Sequence, residues 1–117
     1  MALSLSACAS AAAPATDRIP VVATTSILAD VVSRVGGDLV SVTSLVPPGA
    51  NEHEYQPSPR DIAAVTDAAL VFEVGLGLEE FMETIILNAA TQIEPLTVSD
   101  GVTTLEFSGE QHDDHHA

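Results

Sequence analysis

The sequence contains no Lys and only three Arg in 117 residues, against 17 Asp and Glu, which gives a formal net charge of −14. Proteins that bind nucleic acid hold the phosphate backbone with Lys and Arg, and the same residues attract proteins to anionic membrane surfaces. The composition therefore argues against nucleic acid and against a membrane surface as partners. It suits a cation or a basic protein.

Cysteine and aromatic residues are also scarce. The single Cys excludes an internal disulfide framework and a zinc finger built from Cys alone. Aromatic residues make up 3% of the chain, which argues against a stacking platform for bases or sugars. A hydrophobic fraction of 46% is nevertheless typical of a folded chain, and the length suits one domain.

Residues 1–18 differ in composition from the middle of the chain. Their apolar run is too short to cross a bilayer, and no Arg or Lys precedes it. The Leu-Ser-Ala-Cys sequence that ends at Cys8 resembles a bacterial lipobox, in which the Cys carries a lipid. We interpret residues 1–18 as a partial lipoprotein signal and flexible tether, and the alternative is an unstructured start with a chance Cys.

Residues 108–117 contain three of the four His, interleaved with acidic residues: His112, Asp113, Asp114, His115 and His116. Imidazole and carboxylate are both zinc ligands, so we predict a disordered segment that gathers metal ions. The alternative is a remnant of a purification tag, although a tag would usually be an uninterrupted run of His. Because the sequence stops inside this segment, we expect it to be a fragment.

The middle of the chain, residues 19–107, predicts a single α/β lobe of βαβαβαβ order. β-Branched and apolar runs predict strands at 19–25, 40–46, 69–74 and 93–98, the last of them weak. This order implies a four-stranded, mostly parallel sheet with helices on both faces. Ligands of such folds bind beyond the carboxyl ends of the strands, where residues 47–57 and 75–78 form loops.

Apolar spacing and capping residues predict the helices between these strands. Thr25 or Ser26 caps the first helix, and Ser58 caps the second. We expect the buried faces of the three helices to consist of Ile27, Leu28, Val31, Val32 and Val35, then Ile62, Val65 and Ala69, then Phe81, Met82, Ile85, Ile86 and Ala89.

Several kinds of active site find little support. Gly75 and Gly77 fit the start of a dinucleotide loop, but the third Gly of that pattern falls at Glu80, whose carboxylate would compete with a phosphate. No Gly-x-Ser-x-Gly elbow is present. A lone His53 does not define a catalytic triad. We therefore expect a protein that is not an enzyme.

The remaining candidate is Glu52-His53-Glu54 in the loop after the second strand. A lone His in a loop is more often a solvated residue than a metal ligand. Here the loop lies at the expected ligand edge, prolines flank it, and carboxylates adjoin the imidazole. The His-rich segment at 112–116 is a second, independent indication of metal binding.

The chain also resembles a known family, the zinc/manganese solute-binding proteins of bacterial ABC transporters (metal-binding cluster A-I). The resemblance rests on Ala23 to Asp30, on Leu45-Val-Pro-Pro-Gly-Ala-Asn-Glu-His-Glu-Tyr-Gln-Pro-Ser-Pro-Arg-Asp61, and on Ala68 to Glu80. It implies one half of a two-lobed periplasmic-binding-protein-like fold with a helical backbone, with metal held between the lobes. His53 matches the family's first metal ligand, Glu52 stands where some zinc members carry an acid, and Tyr55 and Asp61 match in structural roles.

The resemblance further implies an extracytoplasmic protein, anchored through Cys8, that passes a transition-metal ion to an ABC permease. Zn²⁺ is favoured over Mn²⁺ because of Glu52 and of His112, His115 and His116. We expect a monomer, and the resemblance also permits a role in cell adhesion. The alternatives are half of a doubly wound enzyme that uses a nucleotide, and a truncated gene product without function.

Overall fold

The structure of the protein is a computed structural model that describes residues 17–106. In this range the chain forms β1 (Ile19–Ala23), α1 (Ser26–Gly36), β2 (Val40–Ser44), α2 (Pro59–Asp67), β3 (Leu70–Glu73), α3 (Phe81–Asn88) and β4 (Leu96–Thr97). Short 3₁₀ turns at Gly37–Leu39 and Glu52–Glu54 precede β2 and α2.

The four strands form one sheet in the order β2-β1-β3-β4, and every neighbouring pair is parallel. Val22 of β1 lies opposite Thr43 of β2 and Val71 of β3, which fixes the register at the centre of the sheet. The predicted α/β fold with a parallel sheet is confirmed. All four carboxyl ends consequently meet at one edge of the sheet.

The hydrophobic core lies between the sheet and the pair α2 and α3. Because successive side chains of a strand point to opposite faces, Val21 and Val22 face different layers. Val22 and Val71 pack into one buried cluster whose other fully or nearly buried members are Leu45, Val46, Val65, Phe81, Met82 and Ile85. On the opposite face, Val21 and Phe72 line an open apolar groove beside α1.

Polar side chains define where the first two helices begin. The Thr25 hydroxyl accepts a hydrogen bond from Leu28 N–H at the start of α1. Ser58 and Asp61 form a reciprocal capping box at the start of α2, with Pro59 as the first helical residue. Both caps agree with the sequence prediction. α1 ends at Gly36, and Gly37 caps it with a φ of 51°, a conformation that favours a residue without a side chain.

Some predicted boundaries and faces were wrong. Ala69 is exposed and lies beyond the end of α2, where its N–H donates to the carbonyl of Pro20. β4 contains only two residues, since Pro95 immediately before it has no N–H to donate. Of the predicted inner face of α1 only Leu28 is buried, whereas Ile27 and Val35 are 79% and 85% exposed.

Candidate metal site

The loop that carries His53 begins at the carboxyl edge of the sheet. After β2, Leu45 N–H donates to the carbonyl of Ala23, and Val46 N–H donates to that of Thr24, at 3.0 and 2.9 Å. The side chains of Leu45 and Val46 are both buried in the core. The start of the loop is thus bound to the end of β1 before Pro47 directs the chain outward.

His53 lies in the middle of the 3₁₀ turn. The Asn51 side chain accepts a hydrogen bond from His53 N–H at 3.0 Å, so Asn51 caps the start of the turn. His53 and Glu54 are exposed, whereas Glu52 is half-buried. Glu52 lines a cleft of about 310 Å³ together with Thr25, Ile27, Leu28, Val31, Val74 and Leu78.

A hydrogen-bonded network fixes the other end of the loop. The Oδ2 atom of Asp61 accepts from Tyr55 Oη–H at 2.8 Å, and from both the N–H and the hydroxyl of Ser58 at 2.7 Å. The Tyr55 ring packs edge-on against Phe81 of the core, with 5.0 Å between the centroids. The loop is therefore held at both ends, and His53 is presented from a fixed frame.

This network changes the pKa of both its ionisable groups. Burial of the ring, together with the hydrogen bond and negative charge of Asp61, raises the pKa of Tyr55 to about 12. Burial alone would raise the pKa of Asp61, but the hydrogen bonds from Ser58 and Tyr55 and the charge of Arg60 outweigh it and lower that pKa. At neutral pH the pair is consequently a phenol that donates to a carboxylate.

Glu79 is a buried polar residue at the same edge of the sheet. Sequence analysis did not predict its burial or its hydrogen bonds. Its Oε1 atom accepts from Thr24 Oγ1–H at 2.6 Å and from Val74 N–H at 2.7 Å, and its Oε2 atom accepts from Gly75 N–H at 2.9 Å. Glu80 next to it is exposed. No local pattern distinguishes two adjacent Glu residues, so only their position relative to the sheet separates them.

The Gly75–Gly77 turn does not offer its amides to a phosphate. The N–H groups of Val74 and Gly75 are already bound by Glu79. A Cβ atom at Gly75 would also collide with the side chain of Thr97, so glycine is required there by packing as well as by its φ of 88°. The geometry thus favours a tight structural turn over a dinucleotide loop.

The described residues supply few metal ligands. Between residues 17 and 106, no group of three or more His, Cys, Asp or Glu side chains could hold a metal ion together. His53 with its neighbour Glu52 remains the only His-carboxylate candidate there, one or two of the three or four ligands that zinc takes. The predicted tail ligands His112, His115 and His116 and the predicted anchor Cys8 lie outside the described residues.

No helix between residues 17 and 106 is both long and apolar enough to span a membrane.

Comparison with known proteins identifies relatives over most of the chain. Residues 21–117 match the family described as "Zinc-uptake complex component A periplasmic". The chain is 36% identical to a manganese-binding lipoprotein, MntA, of Halalkalibacterium halodurans, over 85% of its own length and 33% of that protein. It is 33% identical to an iron ABC transporter substrate-binding lipoprotein, MtsA, of Streptococcus pyogenes serotype M1, over 80% of its own length and 32% of that protein.

Solved structures show the same fold. A zinc-bound ZnuA that lacks its residues 138–173 superposes with a TM-score of 0.71 at 30% identity, covering 80% of this chain and 36% of that one. The chain thus spans about a third of the length of the relatives it matches. The family resemblance predicted from the sequence is confirmed, and the chain belongs to the zinc-uptake component A family, the substrate-binding proteins of metal ABC transporters.

Proposed function

We propose that residues 19–107 are the N-terminal metal-binding lobe of an extracytoplasmic solute-binding lipoprotein, which captures Zn²⁺ and passes it to an ABC permease. The observation that carries this proposal is His53, exposed on a loop that is fixed at both ends at the carboxyl edge of a parallel sheet. Its role is chelation by neutral imidazole, without catalysis. The protein acts as a monomer and is anchored through the lipid of Cys8.

The chemistry of the site requires further ligands. Zinc takes three or four nitrogen, oxygen or sulfur ligands in a tetrahedral arrangement. His53 supplies one and Glu52 a second, and the rest come from parts of the protein outside residues 17–106. His112, His115 and His116 act differently, since as weak and exchangeable ligands they raise the local zinc concentration.

Zn²⁺ is favoured over Mn²⁺ by the donor atoms in this chain. Imidazole suits zinc, whereas manganese prefers sites made of carboxylate, carbonyl and water oxygen. All four His of the sequence belong to the proposed site or to the tail. The relatives named for manganese and for iron show that the family's ions differ between members, so the choice of ion needs a direct measurement.

The experiment is a titration of the full 117-residue chain with Zn²⁺ and, separately, with Mn²⁺, followed by residue-resolved NMR. Because residues 17–106 supply only one or two of the three or four ligands that zinc takes, we expect weak but saturable zinc-dependent shifts at the backbone amides of residues 52–54. We also expect a weaker response to Mn²⁺, and loss of both responses in His53→Gln. Glu52→Gln is expected to weaken zinc binding at His53, whereas Glu54→Gln, which removes an adjacent exposed carboxylate, serves as the matched control.

Zinc-dependent shifts that are confined to His112, His115 and His116, with no response of His53, would overturn the assignment of His53. Equal effects of Glu52→Gln and Glu54→Gln would remove Glu52 from the ligand set and leave only a general effect of charge.

A further inference from the structure

Glu79 is a carboxylate inside the fold that the proposed chemistry does not use. It is 8% exposed, and the groups that donate to it are one hydroxyl and two backbone amides. Among the residues that the structure describes, neither of the two ion pairs involves it. A buried charge is costly unless it is hydrogen-bonded, so its three short hydrogen bonds account for its retention.

The first connection runs from Glu79 to the loop of His53. Glu79 binds the side chain of Thr24, which is fully buried. The carbonyl of Thr24 in turn accepts from Val46 N–H, the last residue before Pro47 opens the loop. A displacement of Thr24 would therefore be transmitted through one backbone hydrogen bond to the fixed start of the loop.

The second connection runs from Glu79 to Val74, another residue of the cleft that Glu52 lines. Glu79 accepts a hydrogen bond from the N–H of Val74. The next three residues, Gly75 to Gly77, all have positive φ, including Leu76 at 58°. Non-glycine residues rarely adopt this conformation, so an outside contact must hold the turn, and Glu79 supplies it through the amide of Gly75.

We propose that Glu79 is a positioning residue for metal capture, and this inference rests on the proposed function. One carboxylate joins Thr24 at the carboxyl end of β1 to the turn after β3. It thereby fixes Val74, which lines the same cleft as Glu52, and the residue before Thr25, which also lines it. His53 directly follows Glu52. Glu79 acts on the metal ligands through Thr24 and Val74, without contact with the ion.

The test uses Glu79→Gln in the full chain, with Glu80→Gln as the matched control at the exposed neighbour. In glutamine one of the two carboxylate oxygens is replaced by an NH₂ group that cannot accept, so either the Val74 or the Gly75 amide loses its acceptor. We expect faster hydrogen exchange at one or both of these amides, altered backbone shifts from Val46 to His53 without metal, and a loss of zinc affinity at His53 of about tenfold or more. Glu80→Gln should leave all three unchanged.

A second pair of variants keeps the test valid if Glu79→Gln does not fold. Thr24→Val removes the hydroxyl that binds Glu79 but keeps the shape of the side chain, and Thr24→Ser keeps the hydroxyl. We expect Thr24→Val to weaken zinc binding at His53, and Thr24→Ser to bind zinc as the unaltered chain does. All affinities are measured at a temperature where circular dichroism shows each variant to be folded, so that a loss of stability alone does not change them.

The outcomes separate the two proposals. If the unaltered chain shows no zinc response at His53, the proposed function fails and the positioning role fails with it. If the unaltered chain responds, but Glu79→Gln and Thr24→Val change only the amides that they touch and leave zinc affinity within twofold, the positioning role alone is overturned. Glu79 would then stabilise the fold and nothing more.

Discussion

The network around Asp61 gives the most quantitative prediction, which concerns the change Asp61→Asn. An asparagine oxygen can still accept from Tyr55 and from Ser58, so what is lost is the negative charge. A hydrogen bond to a charged group contributes about 1 kcal/mol more than a neutral one, and three such bonds set an upper limit of about 3 kcal/mol. Because Ser58 is exposed and solvent screens part of the effect, we expect a loss of about 1–2 kcal/mol in the free energy of unfolding.

Denaturant unfolding at neutral pH measures this loss, and Asp67→Asn is the control. Asp67 is the exposed last residue of the same helix. A negative charge there is repelled by the partial negative charge at the C-terminal end of the helix dipole. The control should be neutral or stabilising by a few tenths of a kcal/mol. Equal effects of the two variants would refute the account of Asp61 as the residue that holds the loop.

The pH dependence follows from the direction of the pKa shift. The pKa of Asp61 is lower in the folded chain than its ordinary value of 3.8, so the carboxylate stabilises the fold fully above that value. This contribution is lost as the pH falls through the folded pKa. The stability difference between the unaltered chain and Asp61→Asn should therefore shrink below pH 3.8. A difference that stays constant with pH would contradict the assignment.

Three further predictions concern single residues. Tyr55 is the only Tyr of the chain, so an ultraviolet titration should show ionisation near pH 12 while circular dichroism shows the protein to be folded, and a midpoint near 10 in the folded protein would contradict the burial of the ring and its contact with Asp61. Gly75→Ala should lower the free energy of unfolding by more than about 1 kcal/mol, because of its positive φ and the contact with Thr97; unchanged stability would show that the turn can rearrange. Ile85→Ala should cost about 2–5 kcal/mol in denaturant unfolding, since the side chain is fully buried, and a cost below about 1 kcal/mol would contradict that burial.

Local signals predicted the parts of the fold that depend on local chemistry. Thr25 and Ser58 cap helices because their hydroxyls can bind amides two or three residues further on, and this depends on the adjacent sequence alone. The strand-helix alternation likewise predicted the parallel sheet. It also placed His53 at the carboxyl edge, because that edge is where the loops between strands and helices of such a sheet must lie.

The features that sequence analysis missed depend on tertiary partners. Apolar spacing shows that Ile27, Val31 and Val35 share one face of α1, but it does not show whether another element covers that face. Ala69 fits a helical stripe by spacing, yet the helix ends at Asp67 so that the chain can enter β3. Glu79 is buried because Thr24, at the end of β1 and far away in the sequence, meets the turn after β3 at its carboxylate. The sequence around Glu79 does not reveal this distant partner.

The central claim is that His53 binds a metal ion at the edge of the sheet. Deletion of residues 110–117 removes none of the described residues and leaves His53 as the only His of the chain. The most direct measurement is the zinc affinity of this shortened chain with His53 and with His53→Ala, read from the shifts of residues 52–54. If His53 binds the ion, we expect weak but saturable zinc-dependent shifts at these residues, and His53→Ala abolishes them. Identical zinc responses of the two shortened chains would contradict it.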